Sequence, residues 1–288
     1  MRARYPDIDG LVVRDGVEIR YERYGQGSPA ILLLPTWSLV HSRHWKMQVP
    51  YLARHFTVMC FDGRGCGGSS RPAEASAYSD VAFAADALAV MDAAGIGSAV
   101  LVSISCGALW ALRLGAEHPD RVLGTVFIAP SAMLMPPLPE RRVQRFGAVI
   151  SDPVGWQTYN AHYWKTHYAE FVRFFVGRIF TEPHSTKQIE DATEWALETD
   201  GETLTAADVG LECCDAPATR RLAAQLACPV LVIHGTDDAL RGHVEGAALA
   251  DCTGGALVRL AGSGHFPHLR DPVRVNLLIR QFADRILS

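Results

Sequence analysis

Continuous apolar runs, rather than alternating ones, recur along much of the chain. They occupy residues 30–34, 56–61, 99–102, 122–128, 230–233 and 256–260. Such runs are typical of strands that are covered on both faces, as in parallel sheets. Before them, two apolar-rich segments at 11–13 and 17–24 flank Asp15-Gly16, a pair that predicts a β-hairpin.

Helical patterns lie between most of these runs. Ser79 or Asp80 can cap a helix with apolar positions at 3.6-residue spacing, residues 106–117 predict a buried helix, and residues 272–286 predict a final amphipathic one with a proline in its first turn. Alternation of strands with helices predicts a mostly parallel central sheet with flanking helices.

The alternation stops between residues 131 and 227. This stretch is rich in aromatic residues and shows helical patterns without a convincing strand; Asp152-Pro153 predicts a helix start and Ser185 with Gln188 predicts a capping box. We therefore predict a helical cap at 131–227 inserted into a core formed by 1–130 and 228–288.

Composition narrows the function classes. The 288 residues carry a net charge of −4 and no Lys/Arg-rich block, which argues against a nucleic-acid partner and against anionic membranes. No apolar run is long enough for a membrane span, and the first residues do not have the pattern of a signal peptide. The seven cysteines, at 60, 66, 106, 213, 214, 228 and 252, lack metal-type spacing and predict reduced thiols in a cytoplasmic protein.

One short segment combines a strand end with a small-x-Ser-x-small pattern. The run 99–102 leads into Ser-Ile-Ser-Cys-Gly at 103–107, and a helical pattern follows at once. A nucleophile elbow needs this form because its turn is tight and large residues two positions from the serine would clash. The turn exposes the hydroxyl of Ser105 and leaves the N–H of Cys106 free for an oxyanion. Alone the pattern is weak, since a serine in an ordinary strand–helix turn gives it too.

Two later segments supply an acid and a base. The run 230–233 ends in a turn that contains Asp237 and Asp238, of which Asp238 is our first choice as acid, although both could be plain turn formers. Small residues precede His265, which lets its ring approach the other two groups; His268 is the second choice as base. The chain order is therefore Ser, Asp, His.

These features resemble the α/β-hydrolase superfamily of esterases, lactonases and amidases. Residues 62–72, Asp-Gly-Arg-Gly-Cys-Gly-Gly-Ser-Ser-Arg-Pro, are similar to the DxRGxGxS loop of that family, and 107–112 and 118–122 are similar to its helix after the elbow. The resemblance covers roughly residues 10–130 and 227–288 and implies an α/β-hydrolase fold with a catalytic triad of Ser105, Asp238 and His265, whereas the predicted cap matches no pattern of the family.

Two positions depart from the family pattern. The family usually has His-Gly after its third strand, with the second oxyanion N–H just beyond, whereas this chain has Leu34-Pro35-Thr36-Trp37. The resemblance therefore implies the main-chain N–H of Trp37 as the second donor beside Cys106. The elbow also begins with Ser103 instead of glycine, and serine is small enough for that position.

The implied chemistry is a two-step acyl transfer that requires no metal or organic cofactor. Haloalkane dehalogenases and epoxide hydrolases of this fold carry aspartate at the elbow, whereas position 105 is serine. Cys106 is a weaker candidate nucleophile, since the elbow directs its side chain away. The aromatic cap predicts an apolar pocket above Ser105. The residues expected to line it are Trp37, His41, Met133, Met135 and Trp164.

The segments at 34–38 and 41–46 also look similar to the serine-dependent macrolide esterases, which open the lactone ring of macrolide antibiotics. We predict a serine hydrolase that cleaves an ester or lactone of a bulky hydrophobic small molecule, with a macrolactone as one option. An amidase or peptidase and a carbon–carbon hydrolase share this triad and stay open. A non-catalytic ligand-binding protein on the same fold is the remaining alternative, against which the intact triad argues.

Overall fold

A computed structural model describes residues 4–143, 145–211 and 215–286, which are organised around one eight-stranded sheet. The order across the sheet is 1-2-4-3-5-6-7-8, and strand 2 runs antiparallel to strands 1 and 4 while all other neighbours are parallel. The strands are β1 (Ile8–Arg14), β2 (Val17–Tyr24), β3 (Ala30–Leu33), β4 (Thr57–Phe61), β5 (Ala99–Ile104), β6 (Val122–Ile128), β7 (Val230–Gly235) and β8 (Ala256–Leu260).

Ten α-helices and several short 3₁₀ turns lie within the described residues. The helices are α1 (Val49–Leu52), α2 (Asp80–Ala93), α3 (Gly107–Glu117), α4 (Ala161–Ile179), α5 (Thr186–Ala196), α6 (Gly201–Gly210), α7 (Ala216–Ala224), α8 (Val244–Thr253), α9 (Pro267–Arg270) and α10 (Pro272–Ile286). The 3₁₀ turns are Ser42–Trp45, Ala75–Tyr78, Pro119–Arg121, Pro139–Val143 and Gly155–Thr158.

The central strands have the burial that their continuous apolar sequences predict. Every residue of β4, β5 and β7 is buried, because helices cover both faces of the parallel part of the sheet. The hairpin between β1 and β2 turns at Asp15 and Gly16, whose φ angles of 53° and 77° fit the left-handed turn expected for an Asp-Gly pair. The α/β fold with a mostly parallel sheet is confirmed.

The stretch between β6 and β7 is helical, and α5 begins directly after Ser185 as predicted, but the helix start predicted at Asp152 and the capping box predicted at Ser185 are wrong. Helix α4 does not begin at Asp152; it begins at Ala161, because the side chain of Asn160 accepts hydrogen bonds from the N–H groups of the first turn. At the start of α5 the hydroxyl of Ser185 donates to the carbonyl of Glu182 at 2.7 Å, so it does not cap the helix.

Helix α7 differs from the other helices of this stretch in its neighbours. It packs against α3 and α8, which flank the sheet, and Leu226 just beyond it fills the space over Gly115 of α3. Although α7 lies within the range predicted for the cap, it belongs to the helical layer of the core. We therefore propose that the cap consists of residues 131–211.

The cysteines that the structure describes form no disulfide; they are at positions 60, 66, 106, 228 and 252. Cys213 and Cys214 lie outside the described residues. None of the helices in the described part of the chain is both long and apolar enough to cross a bilayer.

Candidate active site

Ser105 lies in a strained turn between β5 and α3. Its φ of 52° is in the left-handed region, which costs a non-glycine residue about 1–3 kcal/mol and is characteristic of functional sites. The turn is fixed because the Ser105 N–H donates to the carbonyl of Ile128 at 3.1 Å. A Cβ at Gly107 would lie 2.7 Å from the carbonyl oxygen of Pro35, which explains the need for a small residue there. This is the geometry of a nucleophile elbow.

Asp238 and His265 meet above the ends of β7 and β8. The Nδ1 of His265 lies 2.7 Å from Oδ2 of Asp238, and the other carboxylate oxygen accepts main-chain hydrogen bonds from Leu240 at 2.8 Å and Arg241 at 2.9 Å. A carboxylate bound to Nδ1 holds the proton there and leaves Nε2 as the basic nitrogen.

The two second choices lie elsewhere. The side chain of Asp237 is exposed and accepts a hydrogen bond from the hydroxyl of Thr236. His268 is fully buried, and its Nε2 lies 3.2 Å from Nδ1 of His44. Within the described residues, no side-chain hydrogen bond or ion pair joins Asp237 or His268 to Asp238 or His265.

A second imidazole, which the sequence had not indicated as functional, also contacts Asp238. His234, fully buried in β7, places Nε2 2.9 Å from Oδ2 of Asp238 and 3.1 Å from the carbonyl of Arg241. Both neighbours are acceptors, so Nε2 of His234 carries a proton. Burial alone would raise the pKa of Asp238, but the charge of His265 and hydrogen bonds from both imidazoles outweigh it and hold that pKa well below its usual range.

The loop that carries His265 is anchored to the end of α4 and the segment after it. The N–H of His265 donates to the carbonyl of Ile179 at 2.9 Å. One carboxylate oxygen of Glu182 accepts from the Gly264 N–H at 2.9 Å and from the Ser263 hydroxyl at 2.8 Å. A Cβ at Gly264 would lie 2.8 Å from the Ile179 carbonyl, so only glycine permits this close approach. The position of His265 therefore depends on the cap.

The hydroxyl of Ser105 has Ser131 as its neighbour. The two Oγ atoms are 3.3 Å apart, and the Ser131 N–H donates to the Ser105 carbonyl at 3.0 Å. No hydrogen bond joins Ser105 to His265 within the described residues, although both line one cavity. Catalytic hydrogen bonds are often long or poorly aligned before a substrate is bound, so the present orientation of the Ser105 hydroxyl does not argue against its reaction with the imidazole. The signal for Ser131 in the sequence is its place after β6, whose end adjoins that of β5.

Two main-chain N–H groups beside Ser105 have no hydrogen-bond partner among the described residues. They belong to Cys106 and Trp37, the two donors that the sequence predicts for an oxyanion. The segment before Trp37 is held against the elbow because the indole of Trp110 donates to the carbonyl of Pro35 at 2.8 Å. The Trp37 ring stacks on Tyr159, with ring centroids 5.6 Å apart. Its N–H is thus carried by a segment packed on both sides.

The thiol of Cys106 is a poor alternative nucleophile. Burial raises the pKa of this thiol above its ordinary value. It is therefore protonated near neutral pH, and a protonated thiol reacts far less readily than a thiolate.

A cavity of about 290 Å³ opens above Ser105, between the sheet edge and the cap. Of the residues predicted to line it, Trp37 and Met133 do so, but His41, Met135 and Trp164 do not. Its other lining residues are Thr36, Leu39, Val40, Ser105, Cys106, Ser131, Arg141, Tyr159, Phe175, Ile179, Asp208, Leu211, Leu240, Arg241, His265 and Phe266.

The three residues absent from the lining have partners elsewhere. The indole of Trp164 donates to the carbonyl of Thr158 at 3.0 Å, so this ring is part of the core between cap helices. His41 places Nε2 3.3 Å from the carboxylate of Glu198, and the main chain of Met135 donates to Glu245 at 3.0 Å.

A family model for the α/β hydrolase fold matches residues 29–272. This chain belongs to the α/β-hydrolase family. The 3-oxoadipate enol-lactonase 2 of Acinetobacter baylyi is 24% identical to this α/β-hydrolase over 272 residues, 93% of each chain. Epoxide hydrolase A of Mycobacterium tuberculosis is 35% identical over 136 residues, but that match spans only 46% of this chain and 40% of the relative.

Among solved structures, Est816, described as an N-acyl homoserine lactone degrading enzyme, superposes with a TM-score of 0.76 at 25% identity. The superposition covers 95% of this chain and all of the Est816 chain. The likeness therefore extends through core and cap alike.

Proposed function

We propose that this α/β-hydrolase is a serine hydrolase that cleaves an ester or lactone of a hydrophobic small molecule through an acyl-enzyme on Ser105. The observation that carries the proposal is the 2.7 Å contact of His265 with Asp238 above the cavity that the strained Ser105 also lines. A nucleophile, an oriented base and two free N–H donors in one cavity are the components that acyl transfer requires.

In the first step Nε2 of His265 takes the proton of Ser105 as Oγ bonds to the substrate carbonyl carbon. The N–H groups of Cys106 and Trp37 stabilise the resulting oxyanion. Asp238 stabilises the imidazolium, which then protonates the departing alcohol oxygen as the carbon–oxygen bond breaks. In a lactone that alcohol remains attached to the acyl chain.

In the second step water attacks the acyl-enzyme, again with His265 as base. Its proton passes through Nε2 to Oγ of Ser105 as the ester bond to the enzyme breaks. Each cycle consumes one water and releases a carboxylic acid and an alcohol, or one hydroxy acid from a lactone. The serine and the neutral imidazole are restored.

The cavity favours a compact substrate. Most of its lining is apolar, and its volume of about 290 Å³ is at the lower end of the roughly 300–1,000 Å³ found for drug-sized ligands. A small ester or lactone can lie within it, whereas a macrolactone would place only its reacting carbonyl under the cap. The 93% coverage of a curated enol-lactonase supports a lactone as the reacting group.

A substrate panel with mass detection tests the proposal. It contains aryl esters, small lactones, amides and macrolides, and each product is examined for the gain of one water. We expect turnover of esters or lactones, and a loss of about 10⁴-fold or more in Ser105→Ala with the fold retained. The matched control is Ser151→Ala, which removes an exposed hydroxyl.

Cleavage of macrolides by a route that needs Ser105 would identify the macrolide esterases as the closer functional relatives. Turnover that persists in Ser105→Ala, or a protein inert towards every ester and lactone, would contradict the proposed function.

A further inference from the structure

Two arginines, Arg141 and Arg241, line the cavity beside Ser105. Across residues 4–143, 145–211 and 215–286, no carboxylate oxygen lies within 4.0 Å of a nitrogen of either guanidinium. An arginine in a largely apolar cavity ordinarily has a carboxylate partner, because an unpaired charge is costly to remove from water.

Not every N–H group of Arg141 has a hydrogen-bond acceptor among the described residues. Its Nη1 donates to the carbonyl of Leu240 at 2.8 Å, but its Nε is enclosed and has no acceptor in the described structure. The guanidinium carbon lies 4.9 Å from the ring centroid of Trp156, so an aromatic face covers the flat side of the group and leaves its N–H edge available. Burial lowers the pKa of Arg141, and so does the charge of Arg241; the opposing effects of Tyr159 and Asp208 do not outweigh them.

Arg241 lies close to the proposed triad. Its main-chain N–H donates to Asp238, while its Nη2 contacts the sulfur of Met133 at 2.7 Å. A thioether is a weak acceptor and cannot neutralise a guanidinium. The side chain of Arg241 is therefore held at the cavity wall, and its guanidinium has no other hydrogen-bond partner among the described residues.

One acidic residue, Asp208, shares this cavity lining. It accepts a hydrogen bond from the hydroxyl of Tyr159, so part of its acceptor capacity is already used. The lining thus carries one more positive than negative charge. An anionic group in this cavity would lie near two guanidiniums, and the single carboxylate of Asp208 can offset the charge of only one of them.

We propose that the substrate carries a carboxylate that binds to Arg141 and Arg241 while its ester or lactone carbonyl lies at Ser105. This inference rests on the proposed function and adds the charge of the substrate to it. A planar guanidinium recognises a carboxylate through paired N–H donors. A neutral substrate would fill the same volume but leave the enclosed Nε of Arg141 unsatisfied, which is unfavourable.

The test compares two esters that differ only in charge, mono-4-nitrophenyl glutarate and its methyl ester. We expect the wild-type enzyme to have the higher kcat/KM for the carboxylate by about tenfold or more, mainly through KM, since hydrogen bonds to charged groups contribute about 1.5–3 kcal/mol. Arg141→Gln should lower the ratio of the two kcat/KM values by about 10- to 100-fold. Arg241→Gln serves as an independent second variant if Arg141→Gln does not fold.

Arg142→Gln is the matched control. It removes the same charge from the neighbouring residue, which is exposed and does not line the cavity, so the ratio should stay within about twofold of the wild-type value. Equal turnover of the two esters by the wild-type enzyme, or the same fall in Arg142→Gln as in Arg141→Gln, would overturn the proposal while leaving the serine hydrolase assignment intact.

Binding separates this inference from the proposed function. Calorimetry on Ser105→Ala should detect binding of glutarate but not of glutaramide. Adding Arg141→Gln or Arg241→Gln to that variant should weaken the binding of glutarate by about tenfold or more. If no ester is cleaved but this pattern holds, the anion site stands and the proposed function fails. If esters are cleaved but glutarate binds no better than glutaramide, the anion site fails alone.

Discussion

The carboxyl edge of the sheet and the helical cap contribute to the site in different ways. At the sheet edge, turns of the main chain position the side chains of the proposed triad: Ser105 follows β5, and Asp238 and His265 lie in the turns after β7 and β8. In the cap, side chains from helices and a 3₁₀ turn enclose the cavity, among them Arg141 and Phe175. The strand ends thus determine the positions of the proposed reacting groups, whereas the packing between helices determines the volume of the cavity that a substrate would occupy.

The two regions nevertheless meet at the loop that carries the imidazole of His265. The proposed base, His265, is carried by a core loop, but the carbonyl of Ile179 and the carboxylate of Glu182 hold that loop from the cap side. Any movement of the cap that breaks these bonds would also displace the imidazole of His265. We therefore expect substitutions at the sheet edge to cause large losses of activity and substitutions in the cap to cause smaller ones.

The largest expected effect is at the acid. Asp238→Asn should lower kcat by about 10⁴, since the amide no longer selects the imidazole tautomer that leaves Nε2 basic. Steady-state kinetics of the purified variant on an aryl ester measures this. Asp237→Asn is the matched control and should stay within about twofold of wild type, because its side chain is exposed. A silent Asp238→Asn with a crippled Asp237→Asn would reverse the assignment of the acid.

A smaller effect is expected where the cap holds the base. Glu182→Ala removes the acceptor for the Gly264 N–H and should lower kcat by about tenfold with KM retained, since a hydrogen bond to a charged group contributes about 1.5–3 kcal/mol. Glu182→Gln keeps an acceptor oxygen and should recover most of the rate. Glu190→Ala, which removes an exposed carboxylate from α5, is the control. A rise in KM together with a fall in kcat in both Glu182 variants would indicate a general loss of structure instead.

The smallest expected effect is on the stability of the folded protein at acidic pH, through a histidine buried in the core beneath the site. Burial and the charge of His265 lower the pKa of His268 to about 3. A depressed histidine pKa means that the folded state binds fewer protons than the unfolded one, so stability is complete above the unfolded pKa of about 6.5 and falls as the pH drops below it.

Urea unfolding between about pH 6.5 and 4.5 measures this loss, whose limiting slope for one proton is about 1.4 kcal/mol per pH unit. His268→Gln should flatten the dependence, and His162→Gln, an exposed histidine, should leave it unchanged. An unaltered slope in His268→Gln would show that another group takes up the proton.

The sequence predicted the sheet edge far better than the cap. The bounds of β6, β8 and α10 agree with their predicted ranges, because continuous apolar runs and a clear helical period leave little choice of structure. The convergence of Asp238 on His265 follows from parallel strands, whose carboxyl ends meet along one edge. Chain order and turn residues suffice for such a prediction.

The cavity lining could not be predicted in the same way. Helical spacing shows that Trp164 and Phe175 lie on apolar faces of α4, but the packing angle of the helices decides which of them faces the cavity. Nothing in the sequence indicated that Arg141 would line the cavity, because an arginine in a short 3₁₀ turn is ordinarily a surface residue. His234 was missed because its role depends on a contact across the turn that follows β7.

Covalent labelling of the intact protein with a fluorophosphonate, followed by peptide mass mapping, tests the central claim most directly. The account predicts one adduct, on Ser105, which Ser105→Ala abolishes and Asp238→Asn slows by orders of magnitude. An adduct on Cys106 or another side chain, or continued ester turnover by protein that carries no adduct at Ser105, would contradict it.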